Sequence, residues 1–292
     1  MTAAVPARAP GWIRRNRDLV ATPVIVVVGL AGVLVYTATR QLDSVEQRAL
    51  DPSYLWPRFL EQIWLTVAST VVVIVLALPL GIALSRPAAT RIRTGTLAFG
   101  GFMQALPAYG VIILLAFLLG FGTTTAIIAL VLASFLPVLT NTVVGLLQVD
   151  PALIEAARGM GMSARQTLLR VEIPLAVPVM VAGIRVALVL NVGTATLATF
   201  IGAGGLGEPI SSMLYLGRAQ AVLATSAIVA ALALIIDWLG GVAERLVSGR
   251  IGETRTTRRW RASCRFDGTG GGRRTGSRLR RAQQQRPAGR GG

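Results

Sequence analysis

The polar segment 148–174 holds the side chains best suited to act on another molecule. Glu155, Ala156 and Ala157 stand together, and Gly161 follows six residues after the glutamate. Two small side chains would let a partner surface approach the backbone closely, while the Glu155 carboxylate offers a charge at the edge. Glycine can end a helix in a conformation that other residues resist. These residue types predict a short docking helix, and we assign no catalytic residue.

The same segment is predicted to form two helices joined by a turn. Asp150, which precedes a proline, predicts the first helix start, because its carboxylate can cap free N–H groups and proline suits the first helical position. Ser163 opens a Ser-x-x-Gln pattern, which predicts the start of a second helix, and we expect Pro174 and Pro178 to end it. The alternative is an amphipathic helix lying on lipid headgroups. The small, acidic face at Glu155 favours a protein partner over anionic lipid.

The apolar content of the chain predicts an all-α polytopic membrane protein. Of its 292 residues, 53% are hydrophobic and 14% are charged, which is too apolar for an ordinary soluble domain. A membrane-spanning helix needs about 20 mostly apolar residues. The apolar runs predict six transmembrane helices, at about 19–36, 61–84, 96–119, 124–146, 178–201 and 221–241.

These spans divide the chain into predicted regions. Residues 1–18 form a cytoplasmic N-terminus, 19–39 an extra N-terminal transmembrane helix, and 60–245 a five-helix transmembrane domain that contains the polar segment 150–174. The basic tail 250–292 is expected to be disordered, because it has almost no apolar residues. The first helix could instead be a signal peptide, although its apolar run is longer than the usual core of about 7–15 residues.

Prolines and polar stretches interrupt the predicted transmembrane domain. Pro107 predicts a kink in the third span, because proline removes a backbone donor, and Pro137 is expected to interrupt the fourth. The stretch 40–60 is predicted to be a mixed-charge loop. The stretch 202–220 is predicted to be a glycine-rich turn followed by a polar loop.

The distribution of arginine predicts the orientation in the membrane. Within residues 1–249, the N-terminus, the stretches 85–95 and 147–177 and the end of the last span hold eleven arginines, whereas the opposite loops hold four. Because loops rich in Lys and Arg stay in the cytoplasm, segment 148–174 is predicted to face the cytoplasm, where ATP is available. This argument does not depend on the motif in that segment.

The net charge of +16 does not indicate a nucleic-acid partner. The tail 250–292 holds 13 of the 29 arginines and two of the 13 acidic residues, so it contributes +11 of that charge. Trp260 and Phe266 are its only aromatic residues, so base stacking is poorly supported. The chain has no histidine and one cysteine, Cys264, which excludes an internal disulfide, His-based catalysis and a His-ligated or Cys-based metal site.

A literal G-x-G-x-x-G sequence occurs at 202–207. A dinucleotide site needs a strand before this motif and a helix with a following acidic residue after it. A predicted transmembrane helix precedes it here, and it lies on the predicted external side. An external gate or a tight turn is therefore favoured over a nucleotide site.

Polar side chains within the spans are candidates for the lining of a translocation pathway, because such groups usually face the interior of a helix bundle. The alternative is that the threonines bond their own backbone carbonyls. Asp237, near the end of the last span, is interpreted as a solvated end cap. The pathway candidates are Gln104, Tyr109, Asn191, Thr194, Thr196 and Thr199.

The spacing E-A-A, then glycine, then V-x-I-P at 171–174 resembles the EAA loop of bacterial ABC-importer permeases. The matching positions are Glu155, Ala156, Ala157, Gly161 and Pro174. Val171 and Ile173 stand where that family often has Ile and Leu. The stretches LPVLTNT (136–142), VDPALIEAARGMG (149–161) and GTATLATFIGAGGLG (193–207) are similar to permeases that import osmoprotectants such as glycine betaine, choline, carnitine or proline betaine.

This resemblance implies the partners and the location. It implies a bacterial inner-membrane, multi-pass permease that pairs with a second permease, as a homo- or heterodimer, within membrane lipid. A cytoplasmic ABC ATPase would bind the ATP and dock on the coupling loop, and an extracytoplasmic solute-binding protein would deliver the solute. The permease itself would need no cofactor and no metal, and no nucleic acid is implied.

Three alternatives to this function are compatible with parts of the sequence. The same machine could carry an amino acid such as methionine. A stand-alone secondary transporter would place charges or inverted repeats near the bilayer midplane, and only Arg185 and Asp237 are marginal candidates for such charges. A structural or signalling membrane protein would leave the EAA spacing to chance.

Overall fold

The computed structural model describes residues 11–39 and 43–251, and every regular element within these ranges is helical. Short 3₁₀ turns occupy Pro87–Ala89 and Ala198–Ile201, and a π-helical turn occupies Leu168–Glu172. The α-helices are α1 (Gly11–Ala38), α2 (Ser44–Ala49), α3 (Pro52–Leu84), α4 (Thr90–Ala105), α5 (Ala108–Leu119), α6 (Thr123–Leu147), α7 (Pro151–Gly159), α8 (Ala164–Thr167), α9 (Ile173–Leu197), α10 (Gly207–Tyr215) and α11 (Ala219–Ile251).

The prediction of an all-α polytopic membrane protein is confirmed. Four helical stretches within the described residues are long and apolar enough to cross a membrane, namely Pro52–Leu84, Thr123–Leu147, Ala164–Ile201 and Ala219–Val247. A fifth crossing results if the bent pair α4 and α5 counts as one. In α1 the apolar part, Ala21–Thr37, is shorter, so the sixth transmembrane helix stays a prediction. The N-terminal residues 1–10 and the tail 252–292 lie outside the described residues.

The third predicted span is broken and not merely kinked. Helices α4 and α5 meet at an angle of 96° around Pro107. Leu106 is extended, with φ −70° and ψ 139°, because the residue before a proline is disfavoured in the helical conformation. The prediction of a kink at Pro107 identified the position but underestimated the change in direction.

Helix α3 begins nine residues before the predicted span, so the supposed loop 40–60 is largely helical. The Asp51 carboxylate accepts hydrogen bonds from the Ser53 hydroxyl (2.5 Å) and the Ser53 backbone N–H (2.8 Å), and Pro52 occupies the first turn. These two bonds lower the pKa of Asp51 from its ordinary value, the hydroxyl bond having the larger effect. The cap therefore keeps its charge to lower pH than a free aspartate would.

Two further expectations about prolines are wrong. Helix α6 continues through Pro137, since a transmembrane helix tolerates one lost backbone hydrogen bond where neighbouring helices and side chains satisfy the freed groups. Pro174 and Pro178 do not end the second helix of the coupling segment. That helix runs from α8 through the π-helical turn into α9, and the wider turn accommodates the proline ring that follows it.

The core is built around α6, which packs against both α3 and α9, and these two helices also pack against each other. Helix α11 packs on α9, and α1 lies along α11. Small residues allow the close approaches: a Cβ at Gly81 would lie 2.6 Å from the Thr142 side chain, and a Cβ at Gly183 would lie 2.6 Å from Asn141. Such small-residue contacts are the usual means of packing helices in a membrane.

The connecting segments fall into two groups, one at each end of the bundle. At one end, Arg58 pairs with Glu208 and Arg218 pairs with Asp43, which joins the start of α3 to the region 202–218. At the other end, Arg86 pairs with Glu172. This grouping matches the predicted division into external loops and cytoplasmic loops.

Candidate coupling segment and pathway

Helix α7 begins and ends as its sequence predicts. The Asp150 carboxylate accepts a hydrogen bond from the Ala152 N–H at 2.9 Å, and Gly161 follows the helix with a left-handed φ of +86°. The Gly161 N–H donates to the Arg158 carbonyl, and the next N–H, of Met162, donates to the Ala157 carbonyl. These two bonds form the Schellman motif, which satisfies the last carbonyls of a helix and favours glycine at this position.

One face of α7 is exposed in the isolated chain. Leu153 and Met160 are 48% and 73% exposed, and Glu155 and Ala156 lie exposed beside them. Ala157 is different, because it is only 2% exposed and packs against the rest of the chain. The expectation that Ala157 lets a partner approach does not fit this burial, so Ala156 is the small residue available on the surface.

The second helix of the segment starts at the predicted capping box. The Gln166 N–H donates to the Ser163 hydroxyl, and the Ser163 N–H donates to the Gln166 side-chain oxygen. Helix α7 packs against both α8 and the π-helical turn that follows. The helix–turn–helix is therefore present, but its second arm continues directly into a transmembrane helix.

Glu172, the last residue of the π-helical turn, is a buried charge that the sequence reasoning missed. The residue is 3% exposed. Its two carboxylate oxygens accept hydrogen bonds from the Arg86 guanidinium at 2.5 and 3.4 Å. The same guanidinium also donates to the Ser85 hydroxyl at 3.0 and 3.2 Å. The position between Val171 and Ile173 gave no signal, because its partner lies 86 residues away in the sequence.

Two of the six pathway candidates line one cavity. Gln104 and Thr194 border a cavity of about 400 Å³ at the break between α4 and α5. The remaining lining is apolar and comes from α4, α5, α6 and α9, including Leu106, Leu132 and Leu190. The cavity therefore presents few polar groups.

The other candidates lie elsewhere and mostly bond within the protein. Asn191 is fully buried, and its amide nitrogen donates to the Thr70 hydroxyl at 2.9 Å. Thr196 donates to the Val192 carbonyl, as Thr194 does to the Leu190 carbonyl. Tyr109 packs edge-on against Phe200, with ring centroids 5.3 Å apart, and Thr199 lies in the 3₁₀ turn after α9. The alternative of threonines that bond their own backbone carbonyls holds for Thr194 and Thr196.

The glycine-rich loop 202–207 is a tight turn held by two adjacent side chains of α3. The Gly205 N–H donates to the Glu61 carboxylate at 2.9 Å, and the Leu206 N–H donates to the Gln62 side-chain oxygen at 3.1 Å. Gly202, Gly204 and Gly205 all have positive φ. No strand precedes this loop within the described residues, so the context of a dinucleotide site is missing. We call this arrangement the outer clasp, defined as Glu61 and Gln62 with loop 202–207.

Charged side chains form ion pairs beside the outer clasp. Arg58 bridges Glu61 and Glu208 at 3.0 and 2.7 Å. Glu208 belongs to α10, which lies in the stretch that was predicted to be a polar loop.

Arg185 of α9 and Asp237 of α11 form two hydrogen bonds of 2.7 Å each. Asp237 is therefore an ion-paired residue between two transmembrane helices, and its interpretation as a solvated end cap is wrong.

Comparison with known proteins places this geometry in a family. Residues 77–249 match the family model described as binding-protein-dependent transport system inner membrane component. The osmoprotectant import permease protein OsmY of Salmonella typhimurium is 41% identical over 198 residues, which cover 68% of this chain and 83% of that protein. The glycine betaine/carnitine/choline transport system permease protein OpuCB of Bacillus subtilis is 39% identical over 191 residues, covering 64% and 86%.

A solved structure has the same fold. The inward-facing MetNI methionine ABC transporter contains a chain with a TM-score of 0.60 and 24% identity, and the match covers 66% of this chain and 95% of that one. At this identity the likeness concerns the fold alone.

This all-α bundle, in which a capped helix–turn–helix follows α6 and continues into α9, together with the family match defines a membrane permease of the importer class. The chain belongs to the family of binding-protein-dependent transport system inner membrane components. It is a multi-pass protein of the bacterial inner membrane.

Proposed function

We propose that the chain is the permease subunit of an ATP-driven ABC importer of compatible solutes with a quaternary ammonium group, such as glycine betaine, choline or carnitine. A cytoplasmic ATPase would bind α7 and its flanking turn, and a solute-binding protein would deliver the solute from outside. Two permeases, identical or similar, would enclose the pathway.

The exposed face of α7 is the observation that carries this proposal. Leu153 and Met160 are exposed at one end of the bundle, and a bound partner would bury these apolar side chains. Glu155 and Ala156 on the same helix are positions of the EAA spacing, and the helix is capped at both ends, so it can transmit a displacement without unwinding. The choice of solute class rests on the names of the relatives, which are osmoprotectant, carnitine and choline permeases.

The solute is expected to be selected mainly by the binding protein. A quaternary ammonium group is recognised by a cage of several aromatic rings. The aromatic pairs Trp56 with Phe59, Tyr109 with Phe200, and Phe117 with Phe121 are separate from one another. The cavity beside Gln104 and Thr194 is lined by no aromatic residue, which suits passage better than tight binding.

Uptake by the reconstituted complex tests the proposal. The chain, its ATPase and its binding protein are placed in liposomes loaded with ATP, and entry of radiolabelled glycine betaine is measured. We expect saturable, ATP-dependent uptake that unlabelled choline or carnitine inhibits and methionine does not. Uptake of methionine would support the amino-acid importer instead, and uptake without ATP would support a secondary transporter.

A further inference from the structure

We infer that Arg86 and Glu172 are positioning residues that join the coupling segment to α3, so that a displacement of α7 moves two transmembrane helices and not one. The inference rests on the proposed function, because it concerns how the coupling segment acts. Its basis is an ion pair between two stretches that are remote in sequence and lie at the same end of the bundle.

The connection to α9 needs no side chain. The helix that begins at α8 continues through the π-helical turn into α9, so α9 follows any movement of the segment through its own backbone. Helix α3 has no such covalent link to the segment. Arg86, two residues beyond the end of α3, reaches Glu172 through contacts of 2.5 and 3.4 Å.

The environment of Glu172 makes this contact strong and specific. The Glu172 side chain is 96% buried, and burying its carboxylate without a nearby cation would cost free energy. Arg86 supplies that cation. The guanidinium is held by Ser85, whose own hydroxyl donates to the Ile82 carbonyl of α3 at 2.7 Å. These hydrogen bonds therefore connect the Arg86 guanidinium to the backbone of α3 through Ser85. Helix α7 reaches the same place by packing on the π-helical turn.

Helix α3 can carry the displacement to the other face of the membrane. It runs unbroken from Pro52 to Leu84, and the 22 residue steps from Gln62 to Leu84 span about 33 Å at 1.5 Å per residue. At its far end, Glu61 and Gln62 hold loop 202–207 in the outer clasp. A movement received at Arg86 is thereby delivered to the loop on the predicted external side.

Two substitutions test the contact, and Glu172→Gln also preserves the shape of the side chain. Glu172→Gln and Arg86→Gln each remove one charge, and both variants are assembled with the ATPase and binding protein in liposomes. ATP hydrolysis and solute uptake are measured in the same samples. We expect assembly and ATP hydrolysis to persist while the solute moved per ATP falls about fivefold or more, the lower end of a typical coupling between sites.

Two controls separate coupling from stability. Asp237→Asn breaks the other bidentate ion pair between transmembrane helices, Arg185–Asp237, which does not involve α3. It should lower thermal stability and leave the ratio of uptake to ATP hydrolysis within about twofold, since it lies outside the proposed route. The exchanged pair Arg86→Glu with Glu172→Arg should recover part of the lost ratio.

Several results would overturn the inference. An unchanged ratio in Glu172→Gln, an equal loss in Asp237→Asn, or no recovery in the exchanged pair would each do so. Loss of assembly in both single variants would show that the pair serves folding instead of coupling. Absence of glycine betaine uptake by the unaltered complex would count against the proposed function alone. The role of the ion pair would then be tested by comparing, in the variants and in the unaltered complex, how strongly the binding protein stimulates ATP hydrolysis.

Discussion

At the scale of single residues, the end of α7 depends on the backbone conformation of one glycine. Gly159 and Gly161 both have open space where a Cβ would be added, but only Gly161 has a positive φ. Gly161→Ala should therefore cost about 1–2 kcal/mol at this turn and disturb the Schellman motif. Gly159→Ala is the matched control and should be tolerated.

The expected result of Gly161→Ala is a loss of ATP-driven uptake with normal insertion in the membrane, and a bulkier residue at 161 should abolish uptake. Uptake and the amount of membrane-inserted protein are measured together for both alanine variants. Equal uptake in the two variants would argue against a role for the left-handed turn in coupling.

The outer clasp gives a second prediction at the scale of residues. Gln62 is fully buried, and its side-chain oxygen accepts a hydrogen bond from the buried Leu206 N–H. Gln62→Leu keeps a similar volume but leaves that N–H without an acceptor, so it should destabilise the protein by about 1–3 kcal/mol. The midpoint of thermal unfolding in detergent is the measurement. Gln148→Leu, at an exposed position, is the control, and an equal shift in both would contradict the assignment.

The residues of the candidate site differ in how far the sequence could predict them. The caps at Asp150 and Ser163 and the turn at Gly161 were predicted correctly, because each depends on neighbours within a few positions. Gln62 and Glu172 were missed, because their partners lie 144 and 86 residues away. A lone polar residue in or beside an apolar run shows that a partner exists but does not say which one.

At the scale of elements, three prolines have consequences for the helices that the sequence alone does not predict. A proline excludes one backbone hydrogen bond, and the consequence depends on what surrounds it. Pro137 leaves α6 continuous, Pro174 follows a π-helical turn, and Pro107 separates two helices at 96°. The sequence shows the lost donor in all three cases, but the compensation comes from tertiary packing and from the residue before the proline.

The pairing of α9 with α11 depends on a charged contact within apolar surroundings. Asp237 accepts two hydrogen bonds of 2.7 Å from Arg185, and Gly240 leaves space for the arginine side chain, since a Cβ there would lie 2.7 Å from it. Asp237→Asn should lower the stability by about 1–3 kcal/mol, because the bonds of Arg185 to a charged group are lost and the guanidinium keeps only its longer contact with Glu244, at 3.4 Å. Asp237→Glu, which keeps the charge, should lose less. Thermal unfolding in detergent measures both, and equal losses would contradict the role of the charge.

At the scale of the whole molecule, two different observations indicate how the protein is arranged in the membrane. The distribution of arginine predicts which end faces the cytoplasm, whereas the ion pairs Arg58–Glu208 and Arg86–Glu172 show which connecting segments share an end. Each source alone is incomplete. Together they place α7 at the predicted cytoplasmic end and the outer clasp at the opposite one.

Labelling of single cysteines checks this arrangement. Met160 after α7 is 73% exposed and Tyr215 at the end of α10 is 80% exposed. Met160→Cys and Tyr215→Cys are made in a Cys264→Ser background, and a membrane-impermeant maleimide is applied to spheroplasts and to inverted vesicles. We expect Tyr215→Cys to react only in spheroplasts and Met160→Cys only in inverted vesicles. The reverse pattern would overturn the orientation.

The same variant distinguishes a docking helix from a helix lying on lipid. In detergent, where no bilayer covers α7, added ATPase should slow the labelling of Met160→Cys, because a bound partner would bury the exposed face that contains Leu153 and Met160. Labelling of Tyr215→Cys, at the other end of the bundle, should stay unchanged and serves as the internal control. The opposite result is that the ATPase leaves Met160→Cys as reactive as before, whereas reconstitution into lipid without the ATPase slows its labelling. In that case α7 lies on the membrane surface, and the coupling role belongs elsewhere in the chain.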